Sequence, residues 1–204
     1  MSEDLENKYL IQFKSNISGF HRDAEHIVIQ NIETKKFDNT VNVFVEDSQT
    51  HEIVYNFELR CEIPGTFFRG HTFLSNFIVL GVEDYVYLYN IKTKESIMHK
   101  LIGYFDNFFP NPDFLIIGCD THLIKLNTLG DIEWISDKLA IEKISIKDVN
   151  ENTLWGSGNW GLPRGWEFFN LSLTTGKLIK ENNKSEGSGG LMRFLKKIFS
   201  QAAF

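Results

Sequence analysis

The stretch "FIVLGVEDYVYLYNIKTKE", residues 77–95, returns 37 positions later as "FLIIGCDTHLIKLNTLGDI", residues 114–132. The copies share a leading phenylalanine, a glycine, an acidic residue and an asparagine. The matched pairs are Phe77 with Phe114, Gly81 with Gly118, Glu83 with Asp120 and Asn90 with Asn127. Self-similarity at a period of this size is typical of repeat architectures and decides the fold class before any local assignment.

Each copy is an apolar run, a short turn with an acidic residue, an alternating run and a second turn rich in Asn, Thr, Gly and Lys. This order predicts antiparallel strands joined by tight turns. Repeats of about 40 residues built this way are typical of propeller blades. We therefore expect an all-β protein of antiparallel, propeller-like repeats of short strands.

A third, looser copy begins at "NTLWG", where we align Trp155-Gly156 with Leu80-Gly81. It carries extra residues, "NWGLPRG" at 159–165, which we expect at a hairpin tip. Alternating segments at 26–59 predict a fourth copy, although no aligned glycine supports it. The sequence thus predicts about four blade-like units, and it leaves open whether they close into a ring.

The charge of the chain limits the classes of partner. The first 190 residues hold 18 Lys and Arg against 27 Asp and Glu, and the whole chain carries a net charge of −6. Such a body repels phosphate backbones, so nucleic acid is not expected as a partner. A basic protein partner suits this charge better.

Two cysteines are too few for a secreted disulfide scaffold, and no CxxC pair occurs. The charged amino terminus lacks the apolar region of a signal peptide, and no apolar run reaches the length of a membrane span. We therefore expect a cytoplasmic protein.

Three segments are predicted along the chain: a β-repeat domain at 1–181, a linker at 182–190 and a helical tail at 191–204. The linker, "NNKSEGSGG", has flexible composition, and its "GSGG" is equally the composition of an engineered joint. We also expect single helical turns within residues 2–13 and 136–149, the second capped by a serine or aspartate.

The tail is amphipathic and basic, because its apolar residues recur at three- and four-residue spacing. The residues expected to make its contacts are Phe194, Leu195, Ile198 and Phe199. A helix this short is marginal alone in water and needs a surface. The candidates are its own acidic body, another protein or an acidic membrane, to which three basic residues give only weak attraction.

The repeat resembles the blades of PQQ-type and WD-type β-propellers, although it lacks the Trp-Asp dipeptide and the Gly-His pair of the WD kind. The loop "GNWGLPRGW", residues 158–166, follows a G-x-W-x-x-P-x-G-W pattern and resembles one in a group of small uncharacterised bacterial proteins. The resemblance covers roughly the last 60 residues of the repeat domain. It implies a scaffold fold and, by itself, no activity.

The tryptophan-rich loop allows two interpretations. In the first, Trp155, Trp160, Arg164 and Trp166 form a partner-binding surface, since Trp and Arg dominate interface hot spots. In the second, Trp155 and Trp166 fill the core, because their strand positions match positions that we expect to be buried in the other copies, and Trp160 caps the end of the sheet. Trp160 and Arg164 lie inside the insertion and fit either interpretation.

Catalytic and metal motifs are absent from the sequence, so we expect no cofactor and no metal. The sequence favours a non-catalytic, cytoplasmic protein-binding module of a bacterium. The specific function that we expect within this class is neutralisation of a basic toxin, as immunity proteins perform. The alternative is a small-ligand-binding protein or enzyme with a central pocket near His71 and His122.

Overall fold

The computed structural model describes residues 5–14, 24–29, 39–61 and 69–179. Within these ranges the chain is all-β, with one helical turn, α1 (Leu5–Lys8), and fifteen strands in four sheets. Sheet 1 contains β1 (Tyr9–Lys14), β2 (Glu25–Ile29), β3 (Asn39–Asp47) and β4 (Ile53–Cys61). Sheet 2 contains β5 (Arg69–Leu74), β6 (Phe77–Val82), β7 (Tyr85–Asn90) and β8 (Ser96–Lys100). Sheet 3 contains β9 (Phe105–Asn111), β10 (Phe114–Cys119), β11 (Leu123–Asn127) and β12 (Ile132–Ile135), and sheet 4 contains β13 (Lys143–Val149), β14 (Thr153–Asn159) and β15 (Trp166–Ser172).

The two clear sequence repeats form the middle strands of sheets 2 and 3. Both sheets are antiparallel meanders in which each strand pairs with the next along the chain. The repeated glycine has a packing role in sheet 2, because a Cβ added at Gly81 would lie 2.6 Å from the ring of Phe105. The glycine therefore lets an aromatic side chain from sheet 3 lie directly on the backbone of sheet 2.

The sheets stack face to face in chain order, with an apolar layer between each neighbouring pair. Val43 and Phe57 of sheet 1 share a buried cluster with Leu80 of sheet 2. The second layer joins sheets 2 and 3, and the third joins sheets 3 and 4. Sheets 2 and 3 are thus covered on both faces, which explains why β6 is buried along its whole length.

Sheet 1 does not repeat the meander, so the prediction of a fourth copy at 26–59 is wrong in its topology. Its strand order is β1-β3-β4-β2, and β2 runs parallel to β4. Two of its pairings, β1 with β3 and β3 with β4, are antiparallel, but only β3 and β4 are also consecutive in the chain, as in the repeat. Local alternation predicts a strand, but it does not determine which distant strand becomes its neighbour.

The predicted alignment of the third copy is wrong by one residue. In sheet 2 a two-residue turn joins β5 to β6, and Phe77 is the first residue after that turn. Phe114 has the same place after the two-residue turn that joins β9 to β10 in sheet 3. In sheet 4 the N–H of Asn150 donates to the carbonyl of Thr153, which makes Thr153 the matching residue. Trp155 therefore corresponds to Val79, and not to Leu80.

That single step changes the face on which Trp155 lies, because neighbouring residues of a strand point to opposite sides of a sheet. Leu80 faces sheet 1, the preceding sheet, whereas Val79 faces sheet 3, the following one. In β14 of sheet 4, the neighbour of Trp155 that packs against the preceding sheet is Leu154. Trp155 lies on the other face, where a following sheet would pack.

The connection before β13 is not helical, contrary to the prediction for 136–149. Ser136 does not cap a helix: its hydroxyl accepts a hydrogen bond from the N–H of Leu123 and donates one to the carbonyl of Asp137. The turn predicted near the amino terminus is confirmed as α1.

No helix in the described ranges is long and apolar enough to cross a membrane. The predicted linker at 182–190 and helix at 191–204 lie outside the described residues.

Candidate interaction surface

The face of sheet 4 that points away from sheet 3 is the candidate site, and we call it the outer face. Residues directly opposite each other in antiparallel strands share a face. The pairing of the three strands therefore places nine side chains there in three rows: Asp148, Trp155 and Asn170; Ser145, Ser157 and Phe168; and Lys143, Asn159 and Trp166.

Large aromatic side chains on this face are open to solvent. Phe168 is 81% exposed and Trp166 is 50% exposed, while Trp155 is partly buried. The equivalent of Phe168 in sheet 3 is Leu123, which sheet 4 buries completely. The outer face is thus the counterpart of a core surface, with no sheet among the described residues lying over it.

The chemistry of the outer face differs from that of the covered faces. Sheet 2 meets sheet 3 through aliphatic and phenyl side chains such as Val79, Val86 and Leu88. At the position of Leu88, sheet 4 has Asn170, whose buried Oδ1 accepts no hydrogen bond from any described residue. Aromatic residues are enriched at interfaces between separate proteins, and antibody paratopes combine them with Ser and Asn.

A structured tip loop, residues 160–165, extends the hairpin of β14 and β15 beside the third row. The hairpin of β6 and β7 turns with two residues at the same place, so the predicted insertion at a hairpin tip is confirmed. The N–H of Trp160 donates to the carbonyl of Gly165 over 2.8 Å, and the N–H of Gly161 donates to Oδ1 of Asn159 over 2.9 Å. These bonds close the loop on itself.

Both glycines at the ends of the loop have left-handed backbones, with φ of 68° at Gly161 and 66° at Gly165. Other residue types adopt this conformation only at a cost, which accounts for the glycines in the motif. The peptide bond between Leu162 and Pro163 is cis. The turn carries Leu162 outward, where it is 99% exposed.

Arg164 links the tip loop to β15. Its guanidinium carbon lies 4.0 Å from the centroid of the Trp160 ring, and its Nε and Nη2 donate to the two carboxylate oxygens of Glu167. The hydrogen bonds from Arg164 lower the pKa of Glu167 and the same bonds raise the pKa of the guanidinium. A paired and stacked arginine is oriented before a partner arrives.

The structure brings the predicted site residues to one end of the molecule. Trp155 and Trp166 share the outer face, and Trp160 and Arg164 lie in the adjoining loop. The interpretation that Trp166 fills the core is wrong, because its strand position points away from sheet 3. The predicted contact residues of the tail, Phe194, Leu195, Ile198 and Phe199, lie outside the described residues.

Sequence reasoning missed Phe168 and Leu162, the two most exposed large apolar residues of the described chain. A signal for Phe168 was present in "WEFFN", where alternation places one phenylalanine on each face. No pattern indicated Leu162, because its exposure depends on the shape of the loop.

The structure places His71 and His122, the two histidines of the alternative pocket, in different surroundings. An open groove of about 480 Å³ runs between β1 and β5, and His71 lines it, but His122 is not among its described lining residues. Burial lowers the pKa of both histidines, and the Nδ1 of His122 lies 2.7 Å from the hydroxyl of Thr121. Within the described ranges no group of three or more His, Cys, Asp or Glu residues could hold a metal ion.

Comparison with known proteins gives no family. No family profile and no curated protein matches the chain. Among solved structures, hydrazine synthase of Kuenenia stuttgartiensis is similar at a TM-score of 0.48 and 13% identity, over 81% of this chain and 51% of that one. The N-terminal domain of Nup159 is similar at a TM-score of 0.40 and 12% identity, over 89% and 52%. The chain spans about half the length of each of these two proteins, and at these TM-scores neither similarity indicates what the chain does.

Proposed function

We propose that this chain is a non-catalytic protein-binding module that engages another protein through the outer face and the tip loop. The observation that carries the proposal is the exposure of Phe168 and Trp166 on a sheet face whose counterparts in sheets 2 and 3 are core. Contiguous exposed aromatic surface is a mark of interaction sites in soluble proteins. Binding would remove this surface from water and supply the main favourable free energy.

The tip loop contributes area and specificity to this interface. The outer face is three strands wide and seven residues long, which makes it about 10 by 20 Å. Its area is therefore smaller than the roughly 800 Å² that each partner contributes to a standard interface. Leu162 and the stacked pair of Trp160 and Arg164 supply part of the remainder. Because hydrogen bonds hold the loop in shape, binding costs little ordering entropy.

Charge favours a basic partner. Residues 105–142, which include sheet 3 on the opposite side of sheet 4, hold seven Asp and Glu and two Lys. Such a surface attracts a cationic protein over a distance and raises its rate of association. An acidic cytoplasmic module that covers the cationic surface of a toxin, as immunity proteins do, is the specific function that we propose within this class.

The architecture offered to the partner is that of an incomplete propeller-like stack. Sheets 2 and 3 each present one face to the preceding sheet and the opposite face to the following one, whereas sheet 4 has only a preceding neighbour among the described residues. The outer face is then the site of the next blade, which suits a flat, sheet-like or helical surface on the partner.

The test is quantitative recovery of the partner from native cells with the whole chain as bait. Two baits, Phe168→Asp and Leu162→Asp, place a charge on the interface, and Leu129→Asp is the matched control on an exposed turn of sheet 3. We expect one protein to be retained equally by the wild type and the control and about tenfold less by both interface variants. Calorimetry with the purified partner must give the same order of affinities. Equal retention by all four baits would refute the proposed interface.

A further inference from the structure

Strand β2 is weakly attached to sheet 1. It lies at the edge of the sheet, where β4 is its one neighbour among the described strands and runs parallel to it. None of residues 25–28 is buried, whereas Tyr55, Phe57 and Leu59 of β4 all belong to the core. A strand with so little buried apolar surface opens locally at a low cost in free energy, without unfolding of the rest. Contacts outside its ladder with β4 therefore have a large influence on how often β2 leaves the sheet.

The ammonium group of Lys94 makes such a contact. Lys94 belongs to the turn between β7 and β8 of sheet 2, and its Nζ donates over 2.8 Å to Oε2 of Glu25, the first residue of β2. The other carboxylate oxygen, Oε1, accepts a hydrogen bond over 2.9 Å from the hydroxyl of Tyr89 in β7. Both oxygens of Glu25 are thus held by residues of sheet 2.

Two buried tyrosine rings fix the position of the ammonium group. The Nζ of Lys94 lies 4.8 Å from the ring centroid of Tyr55 and 5.8 Å from that of Tyr89, and it donates to the hydroxyl of Tyr55 over 3.3 Å. Attraction between a cation and an aromatic ring adds to the ion pair at such a position. The hydrogen bond between Lys94 and Glu25 lowers the pKa of Glu25 and raises the pKa of Lys94, so both groups are charged at neutral pH.

The backbone of Lys94 is in a conformation that favours glycine. Its φ is 64°, and its N–H donates to the carbonyl of Asn90, four residues earlier. The equivalent residue in the turn that follows β15 is Gly176, whose φ is 68° and whose N–H donates to the carbonyl of Ser172. A lysine is less stable than a glycine in this left-handed conformation. The shape of the turn therefore does not account for Lys94, whereas the contacts of its side chain do.

We propose that Lys94 is a latch that keeps β2 on the edge of β4. While Lys94 is bound to Glu25, β2 pairs with residues 55–59 and protects their backbone groups. When the contact breaks, β2 opens as a strap and β4 becomes the edge of sheet 1. An exposed strand edge pairs readily with an extended segment of another chain, so the latch controls access to this edge.

This inference goes beyond the proposed function and does not depend on it. Strand β2 belongs to the first sheet of the stack, whereas the outer face belongs to the fourth.

Hydrogen exchange in the full chain, followed by mass spectrometry, measures the opening of β2. Lys94→Met removes the ammonium group and keeps the length of the side chain. Lys92→Met is the matched control, because Lys92 is an exposed lysine of the same turn. Lys94→Gly removes the whole side chain and relaxes the left-handed backbone, so it separates the latch from any role of Lys94 in shaping the turn.

We expect the protected amide groups of β2 to exchange about tenfold faster in both Lys94 variants than in the wild type. The reason is the loss of a hydrogen bond between charged groups together with a cation–π contact. Exchange of β2 in Lys92→Met, and of β10 in every variant, should match the wild type.

Unchanged exchange of β2 in both Lys94 variants would overturn the inference, as would an equal acceleration in Lys92→Met. An acceleration that extends equally to β10 would also overturn it, because it indicates destabilisation of the whole fold and not the opening of one strand. Partner binding is not part of this measurement, so its failure and the failure of the proposed function are distinguishable.

Discussion

Phe168 and Leu123 occupy equivalent positions in successive sheets, yet their environments are opposite. Leu123 lies beside Gly118 in sheet 3, and Phe168 lies beside Ser157 in sheet 4. Leu123 is fully buried by the fourth sheet, whereas Phe168 is 81% exposed. The repeated architecture thus produces a surface with the geometry of a core face.

The first prediction concerns the free energy of unfolding. Leu123→Ala should cost about 2–5 kcal/mol, because it leaves a cavity between two sheets. Phe168→Ala should cost less than about 1 kcal/mol, since the ring has few neighbours to lose. Urea denaturation of both variants measures the difference. Equal losses would mean that the ring of Phe168 is packed in the free protein.

The second prediction tests the close contact between sheets 2 and 3. Gly81→Ala should destabilise the fold by about 1–3 kcal/mol, because the new methyl group overlaps the ring of Phe105. Phe105→Leu in the same chain should recover part of that loss, so the double variant should be more stable than the sum of the single losses predicts. Strict additivity would contradict the contact.

The third prediction concerns pH. Burial, with a smaller effect from the charges of Asp120 and Asp106, raises the pKa of the Cys119 thiol to about 12. A thiol whose pKa is higher in the folded state stabilises the fold fully below its ordinary pKa near 8.5, and this contribution is lost as the pH rises toward 12. Stability should therefore fall by about 2 kcal/mol more in the wild type than in Cys119→Ala between roughly pH 8 and pH 10. Parallel losses in urea denaturation at the two pH values would refute the burial argument.

The fourth prediction concerns the stacked arginine. Arg164→Ala should weaken the affinity for the captured partner by about tenfold, with Trp160→Ala giving a similar loss. Arg164→Lys should not restore the affinity, because an ammonium group cannot both stack flat on an indole and bind a carboxylate through two donors. Calorimetry checks this, and near-ultraviolet circular dichroism confirms that each variant is folded. Full affinity in the lysine variant would show that charge alone matters.

The sequence predicted sheets 2 and 3 correctly because their repeats are local: each turn lies a few residues from the strands that it joins. The prediction of a repeat in sheet 1 failed, because β2 precedes the β3–β4 hairpin in the chain and yet pairs in parallel with β4, on the side of β4 away from β3. The sequence also misplaced Trp155 by one position, since a glycine beside a tryptophan was matched to the repeated glycine, whereas Ser157 occupies that place.

The candidate site was predictable in part. The motif around Trp160 and Arg164 identified a shaped loop from its glycines and proline. The exposure of Phe168 was not predictable, because it depends on sheet 4 being the last in the described stack, and no local pattern encodes the absence of a neighbouring sheet.

Photocrosslinking in native cells tests the central claim most directly. The photoreactive residue p-benzoylphenylalanine would replace Phe168 in one chain and Leu129, as the control, in another. The account predicts that position 168 forms a covalent adduct with one other protein and that position 129 does not. The account would be contradicted if neither position formed an adduct with another protein, or if both positions formed such adducts in equal amounts.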